Sequence, residues 1–227
     1  MKVAFFGGSF DPPHSGHIAL ARLAVERLDL DRVLIAPVGT QPLKGDDAAP
    51  FADRVAMVRL AIANEPRMEV SLVDAPRSDG RPNYTIDAVN NLRRSLNPED
   101  QLFCLMGADS FLTIGKWYRS EELLTACDFV VGSRPGFDLR KVAAALPDTL
   151  SLAAEDIAIP GCLVIGLRGS EGRHSRLYLL MDLAEDVSAT EIRLELQAGA
   201  DAAIAPAVSA YIEDHGLYRN AGPAQRD

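Results

Sequence analysis

The chain has 227 residues, 48% hydrophobic and 24% charged, with 17 Gly, 14 Pro and 3 Cys. Those proportions exclude a disordered, collagenous or disulfide-stapled chain, and a chain of this length hides roughly 70% of its extended surface on folding, enough for a core without metals. Twenty-three Lys and Arg against 32 Asp and Glu leave a formal charge of −9, which argues against a broad DNA- or RNA-binding face. Screening over about 8 Å still permits a small anion in a local pocket of cations and backbone N–H groups.

Residues 3–6 form a short apolar run ending at Gly7-Gly8, the pattern of a strand buried on both faces. Ile18, Ala21, Leu23, Ala24, Val25 and Leu28 then recur at helical spacing, and residues 33–36, closed by Pro37, give the next strand. The alternation continues with a helix over 51–64, a strand over 68–73, a helix over 85–95, and strands over 102–106 and 129–131. Strands separated by helices imply right-handed parallel crossovers. The expected fold is therefore α/β, a Rossmann-like doubly wound parallel sheet with helices on both faces and ligands at the strands' carboxyl ends. Residues 163–167 and 177–181 read either as a hairpin or as two separate strands. Helices are expected over 188–197, with Ser188 as N-cap, and over 206–215, with Pro206 in the first turn. A frayed tail follows from Asn220. With no linker or repeat in view, residues 1–227 are read as one domain, about 182–218 forming a small C-terminal helical extension and 219–227 a tail.

Cys104, Cys127 and Cys162 are widely spaced and make no CxxC pair. They fit core thiols in a reducing compartment, and the absence of a signal-like or eighteen-residue apolar span points to the cytoplasm.

The densest chemical signal is Gly7-Gly8-Ser9-Phe10-Asp11-Pro12-Pro13-His14-Ser15-Gly16-His17, between the first strand and the first helix. It is neither GxGxxG nor a P-loop. The two prolines delay the helix to about Ser15 or Gly16, which places His14 at its mouth and His17 in its first turn. Two imidazoles and several unpaired helix-start N–H groups would then face one point, while Gly7, Gly8 and Gly16 let a ligand approach the backbone. A polyphosphate suits such a site. A satisfied histidine in a tight turn is the bland alternative, but two of only four histidines three residues apart among glycines and prolines favour function. Zinc is disfavoured because no third ligand is evident.

The segment from Gly8 to His17 resembles the GxFxPxHxGH signature of the nucleotidyltransferases related to class I aminoacyl-tRNA synthetases, with His14-Ser15-Gly16-His17 as the HxGH. Ser188-Ala189-Thr190-Glu191-Ile192-Arg193 is similar to that superfamily's second signature near the C-terminus. Within it the chain looks most like the bacterial nicotinate-nucleotide adenylyltransferases over residues 1 to about 218. The supporting segments are Pro42-Leu43-Lys44, Asn83-Tyr84-Thr85-Ile86-Asp87, Met106-Gly107-Ala108-Asp109-Ser110-Phe111, Lys116-Trp117-Tyr118 and Ser133-Arg134-Pro135-Gly136. The stretch from about 155 to 180 is longer than the family's usual pattern.

The resemblance implies adenylyl transfer from ATP to nicotinate mononucleotide, with His14, His17 and Arg193 as catalytic residues. It implies an ATP site drawn from Gly7, Gly8, Ser9, Phe10, His14, Gly16, His17, Gly107, Asp109, Arg134, Ser188, Thr190 and Arg193. The acceptor site would comprise Lys44 for the mononucleotide phosphate, Thr85, Trp117 and Tyr118. Each has an ordinary reading too: Lys44, Arg134 and Arg193 as solvated charges, Thr85 as an N-cap, Asp109 as a cap or Asx-turn residue. Trp117, the only tryptophan, lies among polar neighbours and could stack on a flat pyridine ring. Helix-start N–H groups near Ser188 and Thr190, with the Arg193 guanidinium, would make a second anion site.

The acceptor, a phosphate monoester with second pKa near 6, needs neither a protein nucleophile nor a strong base. Magnesium would be held by substrate phosphates and water, with no protein metal ligands. The partners implied are ATP and nicotinate mononucleotide, no nucleic acid and no membrane, with a homo-oligomer left open. The rival readings are an adenylyltransferase preferring nicotinamide mononucleotide or another phosphorylated acceptor, and an inactive nucleotide-binding sensor. A tRNA-charging enzyme is disfavoured by the short acidic chain without a KMSKS-like motif.

Overall fold

The computed structural model describes residues 1–40, 49–133, 139–181, 183, 188–198, 200 and 202–218, apart from the side chains of residues 139, 140, 143 and 171. In chain order the elements are β1 (Lys2–Gly8), α1 (Ser15–Leu28), β2 (Arg32–Pro37), α2 (Phe51–Ala61), β3 (Met68–Val70), α3 (Thr85–Ser95), β4 (Gln101–Gly107) and the single-turn α4 (Ala108–Phe111). A 3-10 turn over Ile114–Lys116 leads to α5 (Ser120–Ala126), β5 (Asp128–Gly132), α6 (Leu139–Ala145), β6 (Ser151–Ala154), β7 (Cys162–Arg168), β8 (His174–Leu180), α7 (Ala189–Gln197) and α8 (Pro206–Asp214).

One eight-stranded sheet runs in the order β3-β2-β1-β4-β5-β8-β7-β6. The pairs β3·β2, β2·β1, β1·β4, β4·β5 and β5·β8 are parallel. Successive strand residues feed opposite cores. Val3 and Phe5 pack with Ile86, Val89 and Leu92 of α3 and Leu123 and Leu124 of α5; Ala4 and Phe6 pack with Leu20, Ala21, Ala24 and Leu28 of α1 and Val58 of α2. Period-two burial against helices on both faces is the doubly wound arrangement. A third, smaller cluster joins Met57 of α2 to Val208 and Ile212 of α8, and the Tyr211 hydroxyl donates to Asp53 at 2.8 Å.

The sheet departs from an all-parallel one at its far edge. β7 pairs antiparallel with β8 from Cys162↔Leu180 to Arg168↔His174, so these two strands form the hairpin. β6, absent from the sequence reading, adds antiparallel to β7; mostly exposed, it lacks the apolar alternation of a half-buried strand. β3 stops at Val70 rather than 73 and α2 at Ala61 rather than 64. The polar Ser120–Ala126 helix was also not expected. Cys104 and Cys127 are buried as expected, but Cys162, near the sheet edge, is only half-buried. No helix among the described residues is long and apolar enough to cross a membrane. The expected frayed tail from Asn220 lies outside the described residues.

Strand order reverses between β1 and β4: α1 leads from β1 to β2 on one side, and β4 pairs on the other. The crevice at such a reversal is where ligands of open α/β sheets bind. Gly8, at the end of β1, and Gly107, at the end of β4, border it.

Candidate active site

Beyond β1 the chain turns through Phe10, whose φ of 50° is an outlying conformation for a bulky side chain. Its ring, 2% exposed, is anchored 5.3 Å from Phe6 and 4.8 Å from His17, centroid to centroid. Phe10 thus supports His17 from below, and only its backbone is left to meet a ligand. His14 is the N-cap of α1, in extended conformation, and His17 is the third residue of the helix. The His14 N–H donates to His17 Nδ1 at 3.2 Å, and the two rings lie 3.7 Å apart at 33°. His14 is 8% exposed, more enclosed than the sequence reading expects, because its ring is covered by that of His17.

The helix-start donors are also more committed than expected. The Ser15 N–H donates to the Ala203 carbonyl at 2.9 Å and the His17 N–H to the His14 carbonyl at 3.0 Å. The chain between α7 and α8 therefore seats itself on the start of α1. At α7, Ser188 is the N-cap as expected, and a capping box engages the Glu191 N–H with Ser188 Oγ and the Ser188 N–H with Glu191 Oε2. The Glu191 N–H is thereby committed within the cap, while the Arg193 side chain extends from α7.

Arg193 comes to the HxGH junction. Its Nη1 donates to the Asp11 carbonyl at 2.7 Å and lies 3.7 Å from Asp11 Oδ2, while Nη2 is 3.4 Å from Thr190 Oγ1. Two motifs 182 residues apart thus meet three residues before His14. Beneath them Arg54, 4% exposed, donates to the carbonyls of Ala49, Ser9, Val38 and Gly39 at 3.0, 2.8, 2.8 and 3.4 Å. Burial pulls its pKa down, opposed by the Asp11 charge.

The described acceptor residues, Thr85, Trp117 and Tyr118, gather around the start of α3. Thr85 is its first residue, and the N-cap is Tyr84 rather than Thr85. The Tyr84 and Tyr118 rings stack at 4.3 Å, bringing the Trp117-Tyr118 segment to Thr85. Trp117 packs against the core beside α3 and donates from Nε1 to Thr113 Oγ1 at 3.0 Å; Tyr118 is 52% exposed. Asp109 is exposed in the first turn of α4, and a Cβ at Gly107 would meet nothing within 4 Å, so that strand end faces open space. Lys44 and Arg134 lie outside the described residues.

A nucleotidyltransferase signature, a switch-point crevice and a remote arginine returning to it invite comparison with known proteins. The cytidylyltransferase-like family model matches residues 5–195. A probable nicotinate-nucleotide adenylyltransferase of Laribacter hongkongensis is 39% identical over 99% of this chain and 97% of its own length, and one of Pseudomonas syringae is 35% identical over 96% and 94%. The chain belongs to the cytidylyltransferase-like family, among its nicotinate-nucleotide adenylyltransferases. The fold is shared with the Plasmodium falciparum nicotinic acid mononucleotide adenylyltransferase solved with NaAD, at a TM-score of 0.67 and 18% identity over 96% of this chain and 97% of that one.

Within this family member, Asp11, Arg54, Asn83 and Asp74 organise the crevice without having been assigned a role from sequence. Asn83 ties two loops together: it accepts from the Thr40 N–H at 3.2 Å, donates from Nδ2 to the Asp74 and Ala75 carbonyls at 3.2 and 2.9 Å, and its N–H donates to the Thr40 carbonyl at 3.0 Å. The loops approach so closely that a Cβ on Gly39 would sit 2.4 Å from Pro76 N. Asp74, 5% exposed, has its carboxyl pushed up to about 7 by burial and by the Asp87 charge, with the Asn83 amide pulling it partly back. The native state therefore keeps a proton that the unfolded chain loses. Stability from this group falls as pH rises from the ordinary 3.8 to about 7 and is flat above. Asp74→Asn removes that slope. The variant's thermal midpoint should exceed that of wild type at pH 8, with the difference shrinking steadily below pH 7 and closing only near pH 4; a difference independent of pH would show that Asp74 does not titrate in this range.

Proposed function

We propose that this protein transfers the adenylyl group of ATP to nicotinate mononucleotide, giving deamido-NAD and pyrophosphate. The observation that carries the reading is the return of Arg193 to Asp11, three residues before the paired rings of His14 and His17 that follow β1, in a chain 39% identical to a relative named for that activity. A 5′-phosphate oxygen of the acceptor forms a bond to the α-phosphorus of ATP as the bond to the β-phosphate oxygen breaks, and the pair of electrons leaves with pyrophosphate. His17 donates to the phosphate oxygens, His14 supports its ring, and Arg193 neutralises charge on the leaving group; catalysis is positioning plus electrostatics.

The Gly7-Gly8-Ser9 end of β1 and Gly107 let the nucleotide approach the backbone, with Asp109 offering its carboxylate to a ribose hydroxyl. Thr85, Trp117 and Tyr118 receive the pyridine ring and its carboxylate, and Lys44 its phosphate. Magnesium would enter with the substrate, because phosphates and water provide the oxygen donors that Mg²⁺ favours. Residues 1–227 act as one domain in a cytoplasmic setting, a reading supported by the return of α7 and the chain before α8 to the α1 start and by the three free thiols.

Pyrophosphate release measured side by side with nicotinate mononucleotide, nicotinamide mononucleotide and phosphopantetheine tests the acceptor. The highest kcat/KM is expected with nicotinate mononucleotide. A preference for either alternative reassigns it, and ATP binding without pyrophosphate release from any acceptor would make the chain a sensor.

A further inference from the structure

Asp11 collects contacts from three separate parts of the chain. Its Oδ1 accepts from the Ala49 N–H at 3.0 Å and from the Tyr218 hydroxyl at 2.6 Å; its Oδ2 lies 3.7 Å from Arg193 Nη1, and its carbonyl accepts from that same nitrogen at 2.7 Å. The residue is 6% exposed. Tyr218 lies beyond α8, 207 residues from Asp11, and packs against the small cluster that joins α8 to α2. Nothing in nucleotide binding requires a phenol to be brought across the molecule to the loop before the HxGH histidines.

We propose that Tyr218 is a positioning residue for catalysis: its hydroxyl fixes the Asp11 carboxylate, and Asp11 in turn holds the Arg193 guanidinium beside the HxGH junction. The inference rests on the adenylyl-transfer reading and adds to it a role for the chain's C-terminal segment. Tyr218 touches no reacting atom. One carboxylate oxygen is saturated by Ala49 and Tyr218, which orients the group so that the other oxygen and the main-chain carbonyl face Arg193. Without the phenol, the carboxylate can rotate toward the guanidinium and draw it away from the phosphates, so the loss falls on the transition state more than on nucleotide binding. Burial and the neighbouring Asp11 carboxylate both raise the Tyr218 pKa, so the hydroxyl stays a donor across the working pH range. The Ser15 N–H bond to Ala203 is a second tether from the same C-terminal segment to the same junction.

The test is a double-mutant cycle on the full-length protein, with Tyr218→Phe and Arg193→Ala singly and together, reading kcat and the KM for MgATP by pyrophosphate release. Tyr218→Phe keeps the ring and its packing. It should lower kcat about fivefold to tenfold, the scale of one ordinary hydrogen bond, with the MgATP KM within about twofold. In the Arg193→Ala background the same change should cost less than about twofold, because the residue through which it acts is gone. Asp11→Asn should reproduce the kcat loss in the wild-type background and not in Arg193→Ala. An equal loss from Tyr218→Phe in both backgrounds, or no loss in either, overturns the proposal while leaving the adenylyl-transfer reading intact. Wild-type turnover of Arg193→Ala overturns both the proposal and the role of Arg193. A loss that appears only as a lowered thermal midpoint, with kcat unchanged, reduces Tyr218 to a packing role and also overturns the proposal.

Discussion

Replacing His17 with alanine is expected to lower kcat by about 10² or more while leaving the MgATP KM within a few-fold, the signature of a lost transition-state donor. The local geometry gives the reason. His17 Nδ1 accepts the His14 N–H, so in the neutral ring the proton sits on Nε2, and the proposed role directs that N–H to a phosphate oxygen. Phe6 and Phe10 pack at 5.9 and 4.8 Å and His14 at 3.7 Å, closing off alternative orientations of the ring. A fixed donor contributes most where charge develops on the leaving phosphates and little to the ground state, which is why the effect belongs in kcat. His17→Gln, which keeps an N–H donor on a similar reach, should recover part of the loss. Steady-state pyrophosphate release decides the matter: turnover of His17→Ala within about twofold of wild type removes His17 from the chemistry.

What sequence made legible was what short-range physics dictates. The β1–α1 junction was readable because the Gly7-Gly8 strand end, the two prolines and the histidines act on their immediate neighbours, and α1 begins at Ser15 with His14 as N-cap. The helix Thr85–Ser95 begins and ends where its periodicity does, and alternation of strand and helix led to the parallel, doubly wound sheet. β6 escaped notice because an exposed edge strand needs no apolar alternation. Thr85 was displaced from the N-cap by Tyr84, whose ring is held by Tyr118, a tertiary contact overriding a local preference. The supports of the site left less trace still. Arg54 serves main-chain carbonyls, which carry no residue code, from a helix that looks ordinary in sequence. Tyr218 meets Asp11 across most of the chain, and Asp74 shows its unusual carboxyl only once buried.

Arg54 should therefore be the most stability-sensitive of these supports. Its guanidinium bonds four carbonyls drawn from the turn after β1, the exit of β2 and the residue before the α2 N-cap, and its carbon face lies near the Phe51 ring at 5.5 Å. Arg54→Met retains volume but strands those carbonyls in an enclosed space. Leaving a buried polar group unsatisfied costs about 1–3 kcal/mol, and with partial relaxation of the two more accessible carbonyls the total should be about 3–5 kcal/mol. For a chain of this size, each kcal/mol moves the thermal midpoint by roughly 2–4 °C, so a fall on the order of 10 °C is expected, with a matching drop in the urea midpoint. Arg54→Lys should recover only part, because a single ammonium cannot span carbonyls that the planar fork reaches together. A midpoint for Arg54→Met within about 2 °C of wild type would mean that the loops around the crevice hold their positions without the guanidinium. Kinetics give the second reading: Ser9 follows β1 at the crevice and Gly39 follows the neighbouring β2, so loosening them should lower kcat and raise the KM of both substrates, unlike the kcat-only effect at His17.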